Sequence, residues 1–298
     1  MTTNPVQVPL ETFFQRLNIL RGLFTILKSN MDQSQKHLGE FLAAHRAMPG
    51  KNAAMPLTFF GLTTSFSDLT IFPSDGFQRV QSIGGFAVAD EIYLKVIGEL
   101  VEREAAWSVA QAYEAFETFL KQTAAAYLHA NPQLADSNKK KAFSSKPENG
   151  LLNESDLGFW RQFVACNYRG KNNKELLKLL RKLAPDIERA ESHNCRRADF
   201  IGWYRAVAEV RHAATHADFV VKHDCIFDWP AVLVEQFQKW FSVELADKHF
   251  RLKLTEANIK EAFRRFAEYA FTIFKALSER QGYDWQRVLE KPVVESKT

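Results

Sequence analysis

Apolar residues recur at every third or fourth position through most of this 298-residue chain, the spacing of helices that bury one face. Residues 10–48 place Phe13, Leu17, Leu20, Phe24 and Leu27 on one such stripe, and Gly50, Pro56 and Gly61 end it. From Leu57 to Phe86 the spacing is lost. Phe, Thr, Ser and Gly dominate there, and the segment is either a set of short strands or a long packed loop before a turn at Pro73-Ser74-Asp75-Gly76. Ala87 to Gly98 begins another helical stretch. Glu102 to His129 is the strongest helix of the first half, with Val109, Tyr113, Phe116, Leu120, Ala124 and Tyr127 along one face, and it stops at Asn131-Pro132.

The second half continues in the same way. Ser137 to Asn153, with its Lys139-Lys140-Lys141 run, several serines and Pro147, reads as an exposed connection. A short helix is expected from Phe159 to Tyr168. Gly170 then breaks the chain, and Asn172 or Asn173 can cap ELLKLLRKLAP, which stops before Pro185. Asp199 to Val221 reads as one long helix with Phe200, Trp203, Tyr204, Val207, Val210, Ala214 and Val221 on its apolar side. Lys222 to Trp229 connects it to a helix opened by Pro230 and running through Ala246. Thr255 is placed to cap a last helix whose stripe is Ile259, Phe263, Phe266, Ala270, Ile273 and Leu277, and the tail EKPVVESKT is expected to fray. The fold class expected is therefore all-α.

Composition narrows the function. Twenty-five Phe against 13 Gly and 10 Pro suits packed helices better than a turn-rich sheet. No apolar run approaches the ~20 residues that span a bilayer, and the first residues lack a basic segment followed by an apolar one, so no membrane is expected and a cytoplasmic location is. Cys166, Cys195 and Cys225 are odd in number and widely spaced, and read as reduced thiols. No glycine loop of the dinucleotide or nucleoside-triphosphate kind is present, and no cofactor is expected. The formal charge of +4 is mild, so local clustering matters more. Lys171, Lys174, Lys178, Arg181, Lys182, Arg196 and Arg197 lie close in sequence and are the best candidate for a phosphate-binding footprint on an RNA partner, the alternative for any one of them being an ordinary basic solvent face.

The candidate chemistry sits on the Asp199–Val221 helix. Arg211, His212 and His216 fall within six positions, with both histidines on the polar strip and Arg211 at the edge of the apolar face. Arg211 and His216 point about 140° apart and ~7.5 Å along the axis, so a break in the helix, or a second such helix across a two-fold axis, is needed to aim both at one phosphate. A neutral imidazole can take the proton of a ribose 2′-hydroxyl, an imidazolium can protonate the leaving oxygen, and a guanidinium can hold the phosphate. Two other readings compete. His212 and His216 could hold a metal ion with Asp218, His223 or Asp224, although Ala213 stands where a helical zinc protease has its Glu. All three side chains could also merely decorate a core helix, with Arg211 neutralised by Glu209 or Glu117.

Arg211-His212-Ala213-Ala214-Thr215-His216 resembles the signature of the HEPN superfamily, a mostly helical group whose ribonuclease members carry Arg, a polar residue, three variable positions and His. The helix WSVAQAYEAFETFLKQ is also similar to this superfamily, and the resemblance covers roughly Val101 to Ala276. It implies a HEPN-like helical bundle at 99–290 behind a mostly helical N-terminal extension of unknown role at 1–98. It implies a metal-independent endoribonuclease that acts as a homodimer with its site at the interface. His216 would be general acid/base, Arg211 phosphate stabiliser, His212 an orienting or second proton-transfer group, and Glu117 the polar residue set against them from the earlier helix. Such enzymes serve as toxins or antiviral defence effectors restrained by an antitoxin or sensor protein. The alternative within the same resemblance is a non-catalytic module that binds RNA or a nucleotide, or only dimerises. Members controlled by a nucleotidylating antitoxin carry a Tyr two residues after the motif His; here Asp218 stands there, so that control is not implied.

Overall fold

The computed structural model describes residues 4–47, 57–58, 66–67, 79–80, 87–88, 90–146, 148, 152–222, 229–246 and 249–286. The Pro73–Gly76 turn, most of the connection after Lys222 and the 290–298 tail lie outside them. The chain forms two compact units, Met1–Phe24 with Glu102–Thr298, and Thr25–Val101. Helix dominates the described residues, and the architecture is all-α as the spacing of apolar positions predicts.

The smaller unit draws on two long helices, α1 (Gln7–Arg46) and α2 (Asp90–Ala130). Of the two sequence alternatives for 57–86, short strands are present among the described residues: β1 (Leu57–Thr58) pairs antiparallel with β4 (Ala87–Val88), and β2 (Phe66–Ser67) with β3 (Arg79–Val80). Ala87 and Val88, expected to begin a helix, are instead the partner strand of β1, and the helix starts at Asp90. The stretch from Asp90 and the Glu102–His129 helix are one continuous helix.

In the larger unit aromatic rings from four helices meet around Phe116. Those helices are the start of α1, α2, α7 (Phe200–His216) and α9 (Glu256–Arg280). Phe116 lies 5.7 Å from Phe13, 5.4 Å from Tyr204, 5.4 Å from Phe266 and 5.2 Å from Tyr269 between ring centroids. All five rings are buried, and their burial and edge or offset contacts supply the main drive for the bundle. The Asn4 amide donates to Ser278 Oγ at 2.9 Å and ties the chain start to α9. Thr255 caps α9 through a reciprocal box with Asn258, and every residue of the predicted α9 stripe is buried.

Three boundaries differ from the sequence reading. Residues 137–144 are a helix, α3 (Ser137–Ser144), because Asp136 accepts from the backbone of Asn138 and Lys139 and Phe143 is buried against Phe159 and Phe163 of α4 (Leu157–Asn167). Lys139 lies 4.2 Å over the Tyr168 ring, and Lys140 pairs with Glu154 at 2.8 Å, so the lysine run partly covers this aromatic cluster. The helix starting at Asp199 stops at His216, five residues early. Asp218 and Phe219 take left-handed conformations (φ 47° and 64°), Phe219 N–H reaches back to Ala213 C=O at 3.0 Å, and the chain leaves as strand β5 (Val220–Lys222). Likewise α8 (Ala231–Phe241) ends at left-handed Ser242, and β6 (Val243–Ala246) follows where helix was expected. β5 and β6 both pair antiparallel with β7 (His249–Leu252), in the order β5-β7-β6. Among the described residues no helix is long and apolar enough to cross a membrane. Cys166 and Cys195 are free and exposed.

Candidate functional site

Helix α7 starts where Asp199 accepts from Gly202 N–H at 2.9 Å. A Cβ at Gly202 would overlap that carboxylate, so glycine is what lets the cap close. From this fixed start the helix turns Trp203, Tyr204, Val207 and Val210 inward and leaves His212 and His216 exposed, as the sequence predicts. The two imidazole centroids are 5.4 Å apart.

Arg211 is one third exposed, and its Nε donates to Glu114 Oε1 of α2 at 2.6 Å. Glu114 is not among the partners that the sequence suggests for Arg211. Glu117, which is, accepts from Lys121 Nζ at 2.5 Å one turn further along the same helix. Both glutamates share one strip of α2, and the only sequence signal separating them is that Glu114 directly follows Tyr113, the ring that borders the site. Neither Glu209 nor Glu117 pairs with Arg211.

Two cavities open on either side of α7. The first, of about 350 Å³, lies between Tyr113 and Glu117 of α2, Arg211, Glu209 and His212 of α7, and the loop residues Gly170, Asn172 and Asn173. The second, of about 240 Å³, is bordered by Glu209, His212 and His216 and floored by Val220 and Val221 of β5. Arg211 faces only the first and His216 only the second, whereas His212 and Glu209 border both. The turn beneath His216 is held by Arg103, which pairs with Asp218 at 3.3 Å and lies 5.1 Å over the Phe219 ring.

A polar relay fixes the wall of the first cavity. Lys171–Asn173 forms a single 3-10 turn, and Asn172 and Asn173 sit in the left-handed region at φ 54° and 55°, which asparagine tolerates better than most residues. Asn173 stands at the N-cap of α5 (Lys174–Leu183), as expected, but its side chain does not cap. Its amide instead donates to the Tyr204 hydroxyl at 2.8 Å, and Tyr204 stacks on Tyr113 at 5.2 Å. Burial pushes the Tyr204 phenol well up from its ordinary value, and the neighbouring Tyr113 adds to it. Burial also raises Tyr113, against the pull of its hydrogen bond to Tyr204. Both remain neutral hydroxyls.

The basic residues separate into three kinds. Lys174 and Lys182 are exposed on α5 with no ion pair among the described residues, and Arg197 is exposed in the left-handed region (φ 51°). Lys178 is paired with Glu175 at 2.8 Å and Arg196 with Glu268 at 3.0 Å, both at the surface. Arg181 is different. It donates from Nε and Nη2 to the Glu191 carboxylate at 2.8 and 3.0 Å, Glu191 has no exposure, and the Tyr269 hydroxyl donates to the same carboxylate. Arg181 therefore neutralises a buried charge between α5, α6 (Asp186–Ser192) and α9. The Lys171 side chain lies outside the described residues.

Among the described residues no three His, Cys, Asp or Glu side chains gather around a point where an ion would sit, and His223 and Asp224 are not among those residues. No protein-family model, no curated protein and no solved structure matches this chain.

Proposed function

We propose that the protein is a metal-independent endoribonuclease of HEPN type, cleaving RNA by attack of a ribose 2′-hydroxyl on the adjacent phosphorus. The observation that carries this reading is the place of His212, on the ridge between a cavity bordered by Arg211 and one bordered by His216. A strand crossing that ridge meets a guanidinium on one side and an imidazole on the other. His216 takes the 2′-hydroxyl proton and His212 donates a proton to the leaving 5′-oxygen, or the two exchange roles. Arg211, oriented by Glu114, offers its remaining N–H groups to the phosphate oxygens as charge builds in the transition state. Exposed Lys174, Lys182 and Arg197 are cations free to meet the RNA backbone.

The resemblance of the motif also implies a homodimer, in which a second copy across a two-fold axis brings its own Arg211 and His216 to the same strand. The resemblance of the motif adds the biological setting: a cytoplasmic toxin or phage-defence effector restrained by an antitoxin or sensor protein.

One observation favours a second reading, a module that holds RNA without cutting it: Glu114 already compensates the charge of Arg211. Dependence on pH separates the two. Catalysis by paired imidazoles, one acting as base and one as acid, gives a bell-shaped cleavage rate. A binding module gives no cleavage at any pH and an affinity that falls steadily with added salt.

A further inference from the structure

Away from Arg211, the lining of the larger cavity offers acceptors rather than cations. Glu209 and Glu117 bring two carboxylates to a space where the one permanent cation among the described lining side chains, Arg211, is already bonded to Glu114. Glu209 makes no hydrogen bond or ion pair among the described residues, and Glu117 has a single partner, Lys121. Asn173 is 6% exposed, and while its amide nitrogen is spent on Tyr204, its Oδ1 accepts no hydrogen bond among the described residues. The cavity is thus a cluster of waiting acceptors beside the place where cleavage is proposed. A group presenting N–H donors is drawn into it.

We infer that this cavity is a nucleobase pocket that selects guanine next to the cleaved phosphate, with Glu209 reading the base; the inference rests on the ribonuclease reading of α7. A carboxylate presents two parallel acceptors. Guanine is the one common RNA base whose Watson–Crick edge carries two adjacent donors, N1–H and the N2 amino group, so one carboxylate takes both. Adenine and cytosine set an amino group beside a bare ring nitrogen, and uracil sets one N–H between two carbonyls, so each turns a lone pair toward a carboxylate oxygen. Asn172, at the cavity edge, has an amide that can donate to guanine O6. The cavity's 350 Å³ falls within the usual span of small-ligand pockets, roughly 300–1,000 Å³. Reading an unstacked base by its Watson–Crick edge is the ordinary mode for single-stranded RNA.

The test is calorimetric titration of the full-length protein with the 3′-monophosphates of guanosine, adenosine, cytidine and uridine, repeated with Glu209→Gln. The expected result is that the guanosine nucleotide binds at least ~10-fold more tightly than the other three and that Glu209→Gln removes this preference, since an amide puts a donor where guanine also donates. The variant residue is on the surface of α7, and its far-ultraviolet dichroism verifies the fold. Equal affinity for all four nucleotides, preference for another base, no binding at all, or a guanine preference that survives Glu209→Gln overturns the inference. None of these depends on cleavage: a protein that prefers the guanosine nucleotide but leaves RNA intact keeps the pocket and loses the ribonuclease reading.

Discussion

Arg181→Met is the substitution for which sequence and structure give opposite expectations. On the sequence Arg181 is one of several cations for RNA; in the fold it holds the fully buried Glu191. Methionine keeps most of the aliphatic stem and removes both guanidinium bonds, leaving a carboxylate in the core with Tyr269 as its remaining donor. Breaking one side of a buried ion pair costs roughly 3–5 kcal/mol. Arg181 is itself 21% exposed, so water can reach part of the gap and the lower end, ~3 kcal/mol, is the better expectation. For a unit of this size that corresponds to a fall of about 6–12 °C in melting temperature. Lys174→Met, at an exposed and unpaired position on the same helix, should stay within ~0.5 kcal/mol of wild type. Thermal unfolding followed by circular dichroism measures both, and RNA affinity against salt concentration gives the second axis. An Arg181→Met protein that melts with wild type while its log-log salt slope falls by about one would refute the core assignment and return Arg181 to the RNA footprint.

Two further outcomes follow from the geometry. Glu114→Gln should leave the melting temperature within ~4 °C, because a partly exposed pair contributes at most ~1 kcal/mol, yet it should lower kcat about 10- to 100-fold by loosening Arg211, with KM little changed; wild-type turnover would remove Glu114 as a positioning residue. Tyr204 and Tyr269 are pushed well above the ordinary tyrosine value of 10.0, Tyr204 by burial and then Tyr113, Tyr269 by burial and then the Glu191 charge. The folded state thus keeps protons that the unfolded state releases, so their contribution is intact below pH 10 and stability falls as pH rises above it. Tyrosinate absorbance of the folded protein should then fall short of its seven tyrosines by at least two until unfolding, and Tyr269→Phe should make the alkaline loss of stability less steep; full titration before unfolding would contradict this.

What could be read from the sequence was whatever is decided within a few turns of one element. The α9 stripe and its Thr255 cap are local, and so are the Asp199 start of α7 and the outward histidines. The ends of α7 and α8 were not legible, because Asp218, Phe219 and Ser242 enter left-handed conformations without a glycine to announce them. Val220, Val221 and Val243 follow these turns and leave the helix for a sheet whose middle strand comes later in the chain. The lysine run at 139–141 hid a helix nucleated by one aspartate and anchored by one phenylalanine. The helix that carries Arg211, His212 and His216 was legible, but the partners of the side chains around it were not. Whether Arg181 faces solvent or Glu191, and whether Arg211 meets Glu114 or Glu117, depends on how α5 packs on α6 and α7 on α2, which helical spacing alone does not fix. Either Asn172 or Asn173 suits a cap on local grounds, and in the fold the Asn173 side chain is taken by a tertiary hydrogen bond to Tyr204 instead.

The proposed activity is tested most directly by incubating a mixed cellular RNA pool with purified protein in excess EDTA, comparing wild type with His216→Ala, and determining the chemistry of the new ends. The account predicts fragments ending in 2′,3′-cyclic phosphate with wild type and none with His216→Ala, while the two proteins unfold at the same temperature. Equal cleavage by both would move the chemistry away from α7, and intact RNA with both would contradict the ribonuclease reading itself.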